Sequence, residues 1–525
     1  MGIVTDRRSR RKPGAASRIA PPAVALLPLF LVILGGCEYG PFTSQSTEIP
    51  DAAAVTPNDP YFNDPADSQW YLDTIRAPGA WELYEANAGV TYGGTDVRQV
   101  VVSVIDSGIV AGHEDLSSVL TSDGIYLVGG VAIPIPTGLD PGDPSSTHGT
   151  HVAGLIGAHG GNGRGITGAT YNGWPGPMIR LQPVAVLTAD AEGGTTGFLV
   201  DVIAGVLYAA GVQSDRGTGA DLSAGVINMS LGANTLLPGE ILLFENAVFA
   251  ASAADVFIVA AAGNKGTTMI DYPARFSEVV AVGSIDADLG RSDFSNYGVE
   301  LDLVAPGATR SGNGNGDMSG IVSTFPPSGY ASIAGTSMAA PLVAAAAAMV
   351  RSANPYLSAA EVRQILRDTA RDLGPAGWDA GYGYGLVDME AALRRALSEP
   401  YGRYSSSSTS SSSTASTITP AVVSPERRLE YDAAKADAEW DATGRKRLSV
   451  LIAADGDPDR ISALPGVLSS RRAPMPEGTL IRFSVDPARG AELFDTLRQE
   501  PTVLLVTQER PIQFSQQIDL QSSRE

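Results

Sequence analysis

Ser337 stands in Gly335-Thr336-Ser337-Met338-Ala339, ahead of a run of very small residues, Leu342–Met349, that reads as a helix. A serine hydroxyl is a poor nucleophile at neutral pH and needs an adjacent base. The chain has four histidines, His113, His148, His151 and His159. His148, in Ser146-Thr147-His148-Gly149-Thr150, would take the Ser337 proton as general base and return it to a leaving amine. Asp106, in Asp106-Ser107-Gly108, would accept a hydrogen bond from the other ring nitrogen and hold the tautomer. The Ser337 N–H, at a helix N-terminus, would point at a substrate carbonyl oxygen, where the helix dipole favours negative charge. Asn264, after Ala262-Gly263, would add a second donor to that oxygen from its side-chain amide. Together these groups would perform acyl transfer. Taken singly, each motif also has an ordinary reading, as a turn, a helix cap or an αL residue. His151 follows His148 by one helical turn, but no third His or Cys accompanies the pair, so it reads as structural.

The elements that must position these groups are legible around them. Gln99–Ile105 is a nearly continuous apolar run, as suits a strand buried on both faces of a parallel sheet. Similar runs recur at Gly225–Met229, Val256–Ala262 and Val279–Val282. Between them lie helical patterns at Leu199–Ala210 and Leu243–Ala253. Strand and helix signals in alternation predict an α/β fold, a parallel sheet with helices on both faces. Asp106 falls just past the carboxyl end of its strand, where open α/β sheets carry their sites.

Asp106-Ser107-Gly108, His148-Gly149-Thr150-His151, Ser230-Leu231-Gly232, Ala262-Gly263-Asn264 and Gly335-Thr336-Ser337-Met338-Ala339 occur in the order found in subtilisin-like serine proteases, and the chain resembles that family over residues 57–398. The resemblance implies an Asp106–His148–Ser337 triad with Asn264 at the oxyanion. It also implies that Ser230, Leu231 and Gly232, with Ala261, Ala262 and Gly263, form two edges that pair with an extended peptide. Lys265 follows Asn264 where many members carry an acid, which points to acidic or polar residues before the scissile bond. Ala233 stands where many relatives have another glycine, which would narrow that pocket slightly. Asp115, nine residues after Asp106, matches a calcium ligand of many subtilases, and Asn162 in His159-Gly-Gly-Asn162 matches its partner loop. Calcium needs six to eight oxygens, and these two residues supply only part of such a cage. The chemistry itself requires no cofactor.

Composition bounds the partners. The 525 residues include 36 Lys+Arg and 57 Asp+Glu, a formal net charge of −21, which excludes a nucleic-acid binder for want of basic charge. The single cysteine rules out an internal disulfide and a Cys-rich zinc site. That cysteine is Cys37, at the end of a secretory layout. Six basic residues (Arg7, Arg8, Arg10, Arg11, Lys12, Arg18) precede an apolar run from Ala20 to Leu34. At about 15 residues the run is short for a membrane-spanning helix, which takes ~20. Leu34-Gly35-Gly36-Cys37 resembles the lipobox of bacterial lipoproteins, which implies removal of residues 1–36 and acylation (palmitate or a similar chain) of Cys37. The mature net charge then moves from −21 to about −26, so acyl chains rather than lipid headgroups would hold the protein to a membrane.

Residues 37–56 read as a tether, 57–398 as the catalytic domain and 399–429 as a Ser/Thr-rich linker. Residues 430–525 carry alternating apolar patterns at Leu448–Ala453, Gly478–Ser484 and Thr502–Thr507, with a helical stretch at Ala488–Gln499. This strand–helix–strand–helix–strand order resembles the α+β build of a subtilase propeptide, whereas the stretch between Cys37 and Pro57 is too short for one. The expectation is a small domain that docks intramolecularly on the catalytic domain. The whole reads as a serine endopeptidase acting on polypeptides, anchored to the bacterial cell envelope and facing the periplasm or the exterior. Two alternatives stand beside it: a catalytically silent scaffold of the same fold, and a narrow processing protease for one surface protein.

Overall fold

The computed structural model describes residues 55–64, 68–87, 99–128, 131–135, 146–173, 179–189, 195–212, 224–308, 320–399, 446–475, 478–486, 489–508 and 511–513. Cys37, its apolar leader and the Ser/Thr tract lie outside these residues.

The apolar runs become strands β1 (Val100–Asp106), β2 (Ile125–Val128), β3 (Val131–Pro134), β4 (Ile179–Ala185), β5 (Leu187–Ala189), β6 (Thr195–Phe198), β7 (Val226–Met229), β8 (Phe257–Ala261), β9 (Val279–Ile285), β10 (Leu301–Pro306), β11 (Ile321–Phe325) and β12 (Gly329–Ile333). Eight of them form one sheet in the order β10-β9-β8-β7-β1-β4-β2-β3. All neighbours pair in parallel except β2 and β3, which are antiparallel. The sheet is therefore mostly parallel, as expected, with one antiparallel edge strand, β3. The physical reason is chain length: two residues separate β2 from β3, enough for a hairpin but not for the crossover a parallel pair needs. β1, β8 and β9 are buried along their whole length, which explains why they read as unbroken apolar runs.

The helices are α1 (Trp70–Thr74), α2 (Ala77–Asn87), α3 (Thr147–Gly157), α4 (Leu199–Ala209), α5 (Pro238–Ala253), α6 (Thr336–Ala353), α7 (Ala359–Thr369) and α8 (Met389–Ser398). α4 packs with α5, and α3 with α6, which places helix layers on the two faces of the sheet. α6 is the one described helix with the length and apolarity of a membrane span, and it is almost entirely buried in the domain core. Its alanines let it lie close against β7, β8 and β9.

Downstream lie β13 (Lys446–Ala453), α9 (Pro458–Ser462), β14 (Val467–Met475), β15 (Gly478–Val485), α10 (Gly490–Gln499), β16 (Val503–Gln508) and β17 (Pro511–Gln513). Four strands make an antiparallel sheet in the order β14-β15-β13-β16. Its own apolar cluster includes Val450, Ile452, Ile481, Phe483 and Leu497. β14 escapes a sequence reading because it is an edge strand with Ser469, Ser470, Arg471 and Arg472 in its middle. Leu451 and Leu504 face the other way and pack with the core cluster of the large domain. β17 pairs antiparallel with β6, matching Pro511 to Phe198, Ile512 to Gly197 and Gln513 to Thr196.

Candidate active site

Asp106 ends β1, and its neighbour Ala185 ends β4 in register with it. Ser107 N donates to Asp106 Oδ1 at 2.6 Å, which fixes the carboxylate against its own turn. Gly108 takes a φ of 99°, a conformation that a side chain would strain. A Cβ on Gly149 would stand 2.3 Å from Gly108 O, so glycine at 149 is what lets α3 approach this turn. Ser107 Oγ accepts from Gly149 N at 3.0 Å, and Thr150 Oγ1 accepts from Val110 N at 3.0 Å. These two bonds tie the first turn of α3 to the end of β1. The result is that His148 Nδ1 lies 2.9 Å from Asp106 Oδ1 and 3.0 Å from Oδ2. Both side chains are buried, so their attraction is little screened by water.

Ser337 sits in the first turn of α6 and is also buried. α6 packs against α3, the helix that carries His148. Ser337 Oγ donates to Ser230 O at 3.1 Å, and Ser230 Oγ donates to Ser337 O at 2.8 Å. Asn264 follows Gly263, where the chain leaves β8 with a φ of 107°. Asn264 Oδ1 accepts from Thr336 N at 2.9 Å and Thr336 Oγ1 at 2.8 Å. A backbone N–H can only donate, so this contact fixes which end of the amide is oxygen. Nδ2 then lies over Gly335, where an added Cβ would come within 3.3 Å of it.

The two nominated peptide edges differ in what they still offer. Ser230, Leu231 and Gly232 follow β7 beside Ser337. Ala262 and Gly263 have their backbone groups engaged within the protein. Ala262 N donates to Val282 O at 2.9 Å, Ala262 O accepts from Asp271 N at 2.9 Å, and Gly263 O accepts from Asn296 N at 2.9 Å. Gly263 N donates to Thr336 Oγ1 at 3.2 Å. A substrate would meet residues 261–263 as a wall, not as a strand to pair with. The edge that does receive an added strand is β6, which takes β17. Sequence reasoning missed it. Thr195, Thr196 and Gly197 carry no apolar period, and the signal that remains in the sequence is the Gly193-Gly194 pair just before them.

His151 is fully buried; its Nε2 lies 3.0 Å from both Ile321 O and Ala331 O. Burial, with the nearby His148 adding to it, holds its pKa down to about 3, so the ring is a neutral donor that joins α3 to β11 and β12.

Asp115 and Asn162 do come together, with Asn162 Nδ2 donating to Asp115 Oδ1 at 2.8 Å. The other end of that amide, Oδ1, accepts from Arg164 N at 2.7 Å, which fixes its orientation. Asp115 Oδ2 accepts from Tyr330 OH at 2.8 Å and Ile166 N at 3.1 Å. Burial pushes the Asp115 carboxyl above its ordinary value, and these donors oppose the shift. Burial and the neighbouring carboxylates push the Tyr330 phenol up as well, which keeps its proton in place as a donor. A cation needs oxygen lone pairs, and here N–H and O–H groups point at the carboxylate. The pair as arranged does not fit calcium. Among the described residues no group of three or more His, Cys, Asp or Glu is gathered to hold a metal.

Residues 97–385, more than half of the chain, match the Peptidase S8 model of the subtilase family. Over 329 residues the chain is 36% identical to Subtilisin BL of Lederbergia lenta, an alignment spanning 62% of this chain and 98% of that protein. The figures for Subtilisin Savinase of Lederbergia lenta are the same, 36% identity over 62% of this chain and 98% of the relative. A solved structure of a protease from Pseudoalteromonas arctica PAMC 21717 is 30% identical and spans 65% of this chain and 100% of that one, with a TM-score of 0.52. With the sheet order and the buried Asp106–His148 pair, these likenesses identify the chain as a member of the subtilase family, a subtilisin-like serine endopeptidase.

Proposed function

We propose that this protease works through Ser337 as nucleophile, His148 as general base and then acid, Asp106 as the carboxylate that orients and stabilises the imidazolium, and Asn264 Nδ2 as an oxyanion donor. The observation that carries this reading is the buried Asp106–His148 contact at 2.9 Å, on a helix packed against the one that begins at Ser337. Rotation of Ser337 Oγ away from Ser230 O would turn it toward the imidazole. Attack on a peptide carbonyl then passes the hydroxyl proton to His148 and makes a tetrahedral oxyanion between the Ser337 N–H and Asn264 Nδ2. Collapse releases the amine with that proton and leaves an acyl-enzyme, which water hydrolyses by the same base. No step needs a metal or cofactor.

The enzyme is further read as a lipoprotein of the bacterial cell envelope, held outside the cytoplasm by acylated Cys37. The small C-terminal domain docks in cis on the catalytic domain and restrains it. Support comes from the packing of Leu451 and Leu504 with the large domain's core, the contact of β16 with α5, and the strand that β17 adds to β6. β6 continues the hairpin that leaves β4 just past Asp106, so β17 lies at the same end of the sheet as the reactive groups.

Reaction of membrane fractions with a fluorophosphonate tests activity and place together. A labelled band in the membrane that is lost in Ser337→Ala and moves to the soluble fraction in Cys37→Ser is expected. An unlabelled wild type would overturn the catalytic reading, and a Cys37→Ser protein that stays with the membrane would overturn the anchor. Deleting residues 430–525 is expected to change yield or raise specific activity; no change in either would remove the docked domain's role.

A further inference from the structure

Strand β17 is three residues long, Pro511–Gln513, and it joins the edge of a small sheet in the catalytic domain. It pairs antiparallel with β6, and β6 pairs antiparallel on its other side with β5, so the order is β17-β6-β5. Asp106 fixes where this sheet stands. Val186, between β4 and β5, donates its N–H to Asp106 O at 2.8 Å. Leu187, the next residue, opens β5 opposite Gly197, and Ile512 meets Gly197 from the other side. Ile512 is therefore two strand spacings, about 10 Å, from a residue next to the Asp106 turn.

A protease must hold a polypeptide extended to present one carbonyl to its nucleophile, and a strand added to a sheet edge is held so through the backbone alone. In this chain the β6 edge already carries a strand of the chain itself. We propose that β17 is an in-cis competitor of polypeptide substrates, a segment that occupies the β6 edge as an added substrate strand would and leaves it when one binds. This rests on the docked-domain reading given above and adds how the domain restrains the enzyme.

The strand is built to leave while its domain stays. Pro511 has no N–H, so only Ile512 and Gln513 of β17 can donate. β6 has four residues and β17 pairs with three of them, so a longer extended peptide makes the better ladder. The domain is held by other means: Leu451 and Leu504 pack with the large domain's core, and β16 lies against α5. That apolar contact survives the loss of three ladder residues. Two residues of sequence separate β16 from β17. So short a tether returns the strand to its edge at an effective concentration on the order of millimolar. Long extended polypeptides displace it, and short peptides do not.

The test compares the full chain with a variant ending at Gln508, on an eight-residue peptide amide and on a small fluorophosphonate that needs no sheet edge. The shortened variant is expected to show a KM for the peptide at least fivefold lower, with kcat and the labelling rate within twofold of the full chain. Ile512→Pro with Gln513→Pro, which leaves β17 no N–H at all, is expected to do the same with the chain at full length. A KM unchanged in both variants overturns the proposal. So do a kcat and a labelling rate that move by the same factor as KM, the mark of a general loosening of the site. A KM that falls only when residues 430–525 are deleted also overturns it and leaves the docked domain's restraint standing. If that deletion changes neither yield nor activity, the restraint itself is lost, and a full chain that takes no fluorophosphonate overturns the catalytic reading.

Discussion

Ser230 Oγ donates to the carbonyl of Ser337 at 2.8 Å, and this bond replaces one that the helix lacks. Four residues after Ser337 comes Pro341, inside α6, with no N–H to give. The carbonyl of Ser337 is left without its helical donor, and a hydroxyl from just past the end of β7 supplies one. Ser230 is in turn held by Asn228 Nδ2 at 3.0 Å.

Ser230→Ala should therefore leave a buried acceptor unpaired, at a cost of about 1–3 kcal/mol, and loosen the first turn of α6. Chemical denaturation should show the loss, and kcat should fall more than KM rises. Pro341→Ala restores a helical donor, so the double variant should be more stable than the sum of the two single effects. Strict additivity would show that the Ser230 bond is not what serves this carbonyl.

Asn264→Ala should lower kcat/KM by about 10²–10³, or ~2.7–4 kcal/mol of transition-state stabilisation, with KM little changed. That magnitude is the one known for the loss of such a donor in a subtilisin, so it is a family value. Some structural loss should accompany it, because Asn264 Oδ1 also anchors Thr336. Asn264→Asp separates the two roles. It keeps an acceptor for Thr336 and removes the amide donor, so it should hold the melting temperature and still lose rate.

The pH dependence of stability should carry the mark of His151. In the folded chain burial holds it to about 3, while an unfolded histidine titrates near 6.5. Between those values the unfolded chain binds a proton that the native chain does not. Stability should then rise with pH from about 3 to 6.5, by up to ~1.4 kcal/mol per pH unit from this one group, and level off above. His151→Gln keeps a side-chain N–H for the Ile321 and Ala331 carbonyls and removes the titration. Denaturation midpoints at pH 4.5, 5.5, 6.5 and 7.5 should show a flatter slope for the variant. Parallel slopes would count against the assignment.

Chelation should leave the loop around Asn162 intact. Asp115 is served by Asn162, Ile166 and Tyr330. Asp59 accepts from Gly161 N at 2.6 Å, Asn162 N at 3.0 Å and Gly163 N at 3.1 Å. EDTA should move the melting temperature by less than about 2 °C, whereas Asp59→Ala or Asp115→Ala should lower it by several degrees, since each strands buried or half-buried donors. A drop of ten degrees or more on chelation, reversed by calcium, would place a cation in the loop.

The sequence by itself determined the parallel α/β frame, because a strand buried on both faces must be apolar throughout and β1, β7, β8 and β9 are each written that way. It also nominated the candidate reactive set, since Asp106, His148, Asn264 and Ser337 lie in local motifs whose neighbours hold them in place. Gly149 admits α3 to the Asp106 turn, and Gly335 makes room for the Asn264 amide. The small domain's strands β13, β15 and β16 were legible by their apolar period, and the edge strand β14 was not. What only the tertiary structure decided are the relations between distant segments. Ser230 supplies the Ser337 carbonyl with the donor that Pro341, 111 positions later in the chain, cannot give. Asn162 turns a donor, not an oxygen, toward Asp115 because Arg164 N claims the other end of its amide. Residues 195–198 carry no apolar period, and only the fold makes them β6, the strand that β17 pairs with. Such contacts depend on hydrogen-bond direction and burial across the fold, and these quantities have no period or composition along the chain.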